Sequence, residues 1–250
     1  MLTENIRKHV KKLTQKKYRE EFGEFLIEGV KGVEEALASG LEISTIILEE
    51  EKTVPVELPL FVDAGPTVMY ATRAEVKEIK TTETFPGIMA IVKMPEISLS
   101  DFDLEAPIIC LDGIKDPGNL GTIIRSADWF GVKNILLSED CVDTYNEKVV
   151  RSTMGSIFRS KIFESKNLVP DLKMLQAKGY TVVGMQMTGD LIKDVKFNKK
   201  TVCVFGSESH GISIQVQTVL DQSCTIPRIG EAESLNVAIA AGIVLSKISL

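Results

Sequence analysis

From Ala106 onward, short apolar runs recur along the chain: PIICLD, KNILLS, SKIFE, YTVVGM, TVCVFG and CTIP. Between them lie stretches with helical spacing of apolar positions, at about 119–130, 145–153, 168–178, 213–220 and 234–247. Strands alternating with helices predict an α/β layer fold with a largely parallel sheet, and ligands of such sheets bind beyond the carboxyl ends of the strands. The first 93 residues show a smaller alternation after an opening helix. EFLIEG reads as a strand, VKGVEEALASG as a helix capped by Gly40, and ISTIILEE and LPLFVDA as strands. TRAEVKEIK then reads as a helix and GIMAIVKM as a closing strand. The stretch from Pro95 to Pro107 has no strong period. The pattern thus predicts a smaller α/β domain over 1–94, a linker over 95–106 and a second α/β domain over 107–250.

The last segment, IPRIGEAESLNVAIAAGIVLSKISL, breaks the usual rule for surface helices. It has almost no polar face, so it is expected to be buried. Its start carries the polar cluster Glu233-Ser234-Leu235-Asn236, which would face a cavity.

Composition narrows the class. The chain has 250 residues, 44% hydrophobic and 26% charged, with a formal net charge of -6. That balance argues against a protein that coats nucleic acid by bulk charge. Residues 1–20, however, hold Arg7, Lys8, Lys11, Lys12, Lys16, Lys17 and Arg19 against Glu4 and Glu20, with His9 beside them. A basic end on an acidic body is the distribution expected if that end meets phosphate, and equally fits a solvated helix face. Cys110, Cys141, Cys203 and Cys224 show no C-x-x-C spacing, so reduced thiols in a cytoplasmic protein are expected, with no metal site. No apolar run approaches a membrane span.

Three segments following predicted strands could carry chemistry. In LDGIKDPGNLGTIIRSADWFGV, Asp116-Pro117-Gly118-Asn119 forms a turn, Asn119 can cap the next helix, and Arg125 follows six residues later. In VFGSESHGIS, Gly206 and Gly211 flank Glu208, letting backbone approach a ligand while a carboxylate points inward; His210 is given no base role. The third is the final segment, with Ile226-Pro227, Gly230, Ser234 and Asn236. Each alone also reads as ordinary loop punctuation. The P-loop, the G-x-G-x-x-G fingerprint and the G-x-S-x-G elbow are missing from the sequence, which argues against nucleotide hydrolases, dinucleotide oxidoreductases and serine hydrolases.

Taken together, the order and spacing of the three segments resemble the SpoU family of RNA ribose 2′-O-methyltransferases, of the SPOUT superfamily, over about 106–248. Asn119, Gly121 and Arg125 carry the first motif, and Gly206, Glu208 and Gly211 the second. Ile226, Pro227, Gly230, Ser234, Leu235 and Asn236 carry the third. Residues 1–93 resemble that family's substrate-binding domain, through FLIEG…EAL and TETFPGIMAIV. Arg228 stands where methionine is frequent.

The resemblance implies a deep trefoil knot in the C-terminal domain, with the last helix passing through a loop and surrounded by protein. It also implies a homodimer through that domain, S-adenosylmethionine as methyl donor, and no metal. Gly206, Ile226, Leu235 and Gly230 would line the cofactor site. Arg125, Asn119, Glu208, Ser234 and Asn236 would be catalytic, with Glu208 organising its loop or holding Arg125. The substrate it implies is RNA, with ribosomal RNA favoured over transfer RNA because of the extra domain. The competing class is a non-catalytic RNA-binding or ribosome-assembly factor of the same fold.

Overall fold

The computed structural model describes residues 2–53 and 65–249, so the strand expected over LPLFVDA lies outside the described residues. Two compact units emerge: Met1–Glu96 with Asp143–Phe158, and Ile97–Val142 with Arg159–Leu250. The sequence pattern gave 143–158 to the second domain and 95–106 to a linker. The structure groups Asp143–Phe158 with the first unit instead and begins the second inside the expected linker.

The first unit contains α1 (Glu4–Leu13), α2 (Lys16–Phe22), β1 (Glu24–Glu28), α3 (Val30–Ser39), β2 (Ile43–Glu49), β3 (Thr67–Ala71), α4 (Arg73–Ile79) and β4 (Ile88–Lys93). Its sheet runs β1-β4-β2-β3, with β4 antiparallel to β1 and β2, and β3 parallel to β2. The predicted elements within the described residues are there, joined by β3, an edge strand with two exposed residues, two half-buried ones and Ala71 buried. A capping box starts α4: Thr72 N donates to Glu75 Oε2 at 2.8 Å, and Glu75 N donates to Thr72 Oγ1 at 3.3 Å. The backbone bond from Thr72 holds the Glu75 carboxyl below its ordinary range.

The basic opening segment is partly occupied within this unit. Arg7 and Lys11 reach Glu78 at 3.5 and 3.0 Å, and Lys8 reaches Glu4 at 2.6 Å. Arg19 is only 3% exposed. Its Nε donates to Asp143 Oδ2 at 2.8 Å, its Nη2 donates to the same oxygen, and its Nη1 donates to Leu13 O at 2.7 Å. This buried clasp explains why 143–158 groups here, and it removes Arg19 from any phosphate-binding face.

Onward the chain forms β5 (Ile108–Asp112), α5 (Pro117–Trp129), β6 (Asn134–Ser138), α6 (Glu147–Thr153), β7 (Lys161–Ser165), α7 (Leu168–Ala177), β8 (Thr181–Leu191), β9 (Thr201–Gly206), α8 (Ile214–Gln217), β10 (Gln222–Thr225) and α9 (Val237–Ser249). All but α6 belong to the second unit. Its six strands lie in the order β10-β8-β9-β5-β6-β7, and every neighbouring pair is parallel. The start of this unit is set by Leu99 and Phe102, which sit in its core, and by Asn134, whose side chain bonds both backbone groups of Asp103. Tyr180 donates its hydroxyl to Ala106 O at 2.9 Å, and burial pushes its pKa up to about 12, so it remains a donor.

The four cysteines are buried thiols. Burial raises all four, Cys224 to about 11, which makes them unreactive at neutral pH. Among the described residues, no helix is long and apolar enough to cross a membrane, and no group of His, Cys, Asp or Glu is arranged to hold a metal.

The final helix is not enclosed on all sides: Val237, Ala238, Ala241, Val244 and Leu245 are buried, but Ile239 is 55% and Ile243 38% exposed. Its inner stripe packs on α5 and β9. Its outer stripe is left bare by the chain itself.

Candidate active site

Chain order in the second sheet reverses beside β5. From β5 the chain steps outward to β6 and β7, then returns to the other side, where β9 pairs with β5. The crevice beyond the carboxyl ends of β5 and β9 is therefore a topological switch point, where ligands of parallel sheets bind. Asp112 ends β5 and Gly206 ends β9, and they are register partners.

After β5, Asp116 caps α5 by accepting from Asn119 N at 2.8 Å, and Pro117 occupies the first helical position. Asn119 is therefore not the cap that the turn suggested. It is the third residue of the helix, and its side chain is free for the crevice. After β9 the backbone folds on itself: Ser207 N donates to Gly211 O at 3.0 Å, and Gly211 N to Ser207 O at 2.9 Å. Gly211 has φ +67, which glycine tolerates best. Asp112, nearly buried, accepts from Ser213 N at 2.7 Å and pins the far end of this loop. Glu208 is carried at its tip.

The third segment, 226–236, follows the edge strand β10 yet leads into α9, which lies against α5. Asn236 completes a relay there. Asn119 Nδ2 donates to Glu208 Oε1 at 2.7 Å, and Asn236 Nδ2 donates to Asn119 Oδ1 at 2.9 Å. Asn236 Oδ1 in turn accepts from Ala238 N and Ile239 N at 2.9 and 3.3 Å. The two ends fix the direction of the relay. A carboxylate only accepts and helix N–H groups only donate, so each amide has one allowed orientation. All three sequence motifs thus meet through side chains.

Asn236→Ala should remove both the helix cap and the link to Asn119. We expect a loss of about 1 kcal/mol in unfolding free energy. Asn236→Asp keeps the cap but turns an acceptor toward Asn119 Oδ1, so it should recover stability without restoring the relay. Denaturant unfolding of the two variants, read beside their activity, separates the roles; equal stability of all three proteins would show that the cap is idle.

Other expected residues are positioned less directly. Arg125 is exposed, and it makes no hydrogen bond or ion pair among the described residues; Glu208 holds Asn119 rather than Arg125. Six residues beyond Asn119, it lies about 9 Å further along the helix and about 120° around it from Asn119. Gly230, Ser234 and Leu235 are exposed on the third segment, with Ile226 half-buried at its start. His210 bonds the neighbouring Ser209 Oγ through Nδ1 at 2.7 Å, and Arg228 donates to Ala232 O at 3.4 Å. Sequence reasoning missed Asp112, and it placed Asp116 in the turn without its role as the cap of α5. An aspartate at a strand's carboxyl end was the available signal for the first.

The residues present fit an adenosyl ligand. Backbone groups of 227–235 make no backbone hydrogen bonds among the described residues, so donors and acceptors remain for a purine edge. Leu235 is 49% exposed beside them and offers apolar cover.

Comparison with known proteins gives the chain its relatives. A model of the SpoU rRNA methylase family matches residues 106–246, and one of an MRM3-like substrate-binding domain matches residues 5–90. A 23S rRNA (guanosine(2553)-2′-O)-methyltransferase of Bacillus subtilis is 33% identical over 236 residues, covering 94% of this chain and 92% of its own. The crystal structure of a SpoU methyltransferase from Streptomyces viridochromogenes in complex with AdoMet has a TM-score of 0.88 at 27% identity, covering 99% of this chain and 97% of that one. An AdoMet-bound rRNA methyltransferase from Sinorhizobium meliloti has a TM-score of 0.87 at 30% identity, covering 99% and 95%.

Proposed function

The chain belongs to the SpoU rRNA methylase family, and from that premise we propose that its switch-point crevice methylates a ribose 2′-hydroxyl of ribosomal RNA. S-adenosylmethionine is the donor, supplying a methyl group already activated on a sulfonium. The observation that carries this reading is the Glu208–Asn119–Asn236 relay, which ties the three motif segments into one site. The Bacillus subtilis relative, named for a 23S rRNA nucleotide, supports large-subunit RNA as the substrate class. Such a substrate implies a cytoplasmic enzyme.

Chemistry left to the protein is alignment and charge. The 2′-oxygen bonds the methyl carbon as the sulfonium C–S bond breaks to leave a neutral thioether. The hydroxyl proton passes to water, because an arginine is effectively always protonated and accepts none. Arg125 therefore acts as a cation: it holds the phosphate beside the reacting ribose and stabilises the developing alkoxide. Asn119, fixed by Glu208 on one side and Asn236 on the other, orients the nucleotide, with the Ser234 hydroxyl on the same rim. Gly206, Ile226, Gly230 and Leu235 hold the adenosyl group through backbone contacts and apolar cover. The smaller unit, with the exposed Lys12 and Lys17 on its opening helices, grips structured RNA.

A trefoil knot is supported by the path of the chain, which goes from edge strand β10 back past β8 and β9 to lay α9 on α5. A homodimer is supported by bare apolar residues on those same helices, Trp129 at 84% exposure with Ile239 and Ile243. Ile243→Glu should convert a dimer to a monomer in sedimentation equilibrium and lower methyl transfer. A wild-type monomer, or a variant that stays dimeric, would refute that interface.

Labelled S-adenosylmethionine with unmodified large-subunit RNA, followed by an alkaline-cleavage ladder, tests the reaction. A 2′-O-methyl group removes the hydroxyl that alkali needs, so one gap is expected. Label without a gap would mean base methylation, and label only in transfer RNA would overturn the substrate.

A further inference from the structure

Strands β8 and β9 are adjacent and parallel, so the chain between them must return from the carboxyl end of one to the amino end of the other. Such crossovers are usually helical. Here residues 192–200 do it without a helix, as a strap with turns at 192–194 and 199–200. The strap is well anchored. Val195 is buried in a small cluster with Val183 and Cys224, and Ile192 and Phe197 pack against the same cluster. Ile192 N donates to Thr225 O at 2.9 Å, and Asn198 N donates to Thr201 Oγ1 at 3.1 Å.

Between the inward residues stand lysines. Lys193, Lys196 and Lys199 recur every third residue, all exposed and without a hydrogen bond or ion pair among the described residues. Lys200 differs, since it reaches Glu105 at 2.9 Å. The strap's single acid is Asp194, in a chain whose net charge is -6. Three unpaired ammonium groups on a pinned segment repel one another and gain nothing within the fold. On the opening helices, by contrast, Lys8 and Lys11 have carboxylate partners.

We infer that Lys193, Lys196 and Lys199 form a second phosphate-docking surface for the RNA substrate, carried by the methyltransferase unit itself. This rests on the RNA methyltransferase reading given above. Charge complementarity selects the occupant: a polyanion matches a cluster of exposed cations on an anchored segment. Because the strap is already ordered, binding costs little backbone entropy. Each contact releases counterions from the RNA, which makes the contribution readable in salt dependence.

The test replaces all three by glutamine and measures binding to protein-free large-subunit ribosomal RNA across a potassium chloride series. S-adenosylmethionine affinity and the thermal midpoint should stay unchanged, because the side chains point away from the core. RNA affinity at about 0.1 M salt should fall roughly tenfold, and the slope of log K against log salt should shrink by about two. Single-turnover methylation at saturating RNA should be little affected, since these lysines touch no reacting group. Unchanged affinity and slope in the triple variant would overturn the inference and leave an acidic protein as the fitting partner. Wild-type protein that bound no RNA would sink both this inference and the proposed function. Wild type that binds and methylates while the variant matches it would sink this one alone.

Discussion

Arg125→Ala is expected to lower the single-turnover rate of methyl transfer by about a thousandfold, with S-adenosylmethionine affinity changed by no more than about twofold. The side chain is exposed and unengaged among the described residues, so its removal leaves no buried partner orphaned and little stability should be lost. On the proposed role, what disappears is the cation that stabilises the ribose oxygen as charge develops on it. Arg125→Lys restores the charge but not the planar two-pronged donor, and should recover about a tenth of the rate at most. The pH profile separates the two conceivable roles. A group charged throughout adds no titration step, so the variant's profile should run parallel to that of wild type, only lower. A rise in rate with pH that wild type shows and Arg125→Ala lacks would mark it as a base instead. A near-normal rate would remove it from the site altogether.

How much of this site could be read from the sequence varies by residue. Alternation of apolar runs and helical stretches exposed the parallel sheet, because strands buried on both faces, such as IICLD and NILLS, cannot be disguised by surface polarity. Asn119, Glu208 and Asn236 were legible as members of three motifs, but their joining was not. The residues are 89 and 117 positions apart in the two bonds, and only strand order brings them together. Nor could local pattern reveal that Asp143–Phe158 groups with the first unit, since that depends on a clasp between Asp143 and Arg19, 124 residues apart. The final helix misled for a different reason. An all-round apolar surface says that burial is wanted, but it cannot say whether the chain itself or a second copy supplies the cover. Ile239 and Ile243 are the residues for which that distinction matters.

The loop that presents Glu208 depends on one absent methyl group. A Cβ built on Gly206 would lie 1.9 Å from the carbonyl carbon of Gly211 and 2.0 Å from the nitrogen of Ile212. Both are backbone atoms, so no side chain can swing aside to make room. Relief requires breaking the paired Ser207–Gly211 bonds or pulling the loop away from Asp112, and either movement withdraws Glu208 from Asn119. Gly206→Ala is therefore expected to weaken S-adenosylmethionine binding by about a hundredfold or more, and to cost several kcal/mol of stability, as overpacking against fixed backbone does. Two other glycines calibrate the result. Gly211→Ala meets nothing within 4 Å but must hold φ +67, so a loss of about 1 kcal/mol is expected. Gly242→Ala, in α9, also meets nothing within 4 Å within the chain and should be neutral or gain up to about 1 kcal/mol from helix propensity. Calorimetric titration with S-adenosylmethionine, beside thermal unfolding of all three, gives the ranking. If Gly206→Ala folded and bound as wild type does, the close approach would be slack. The loop could then shift without consequence, and Glu208 could not owe its position to it.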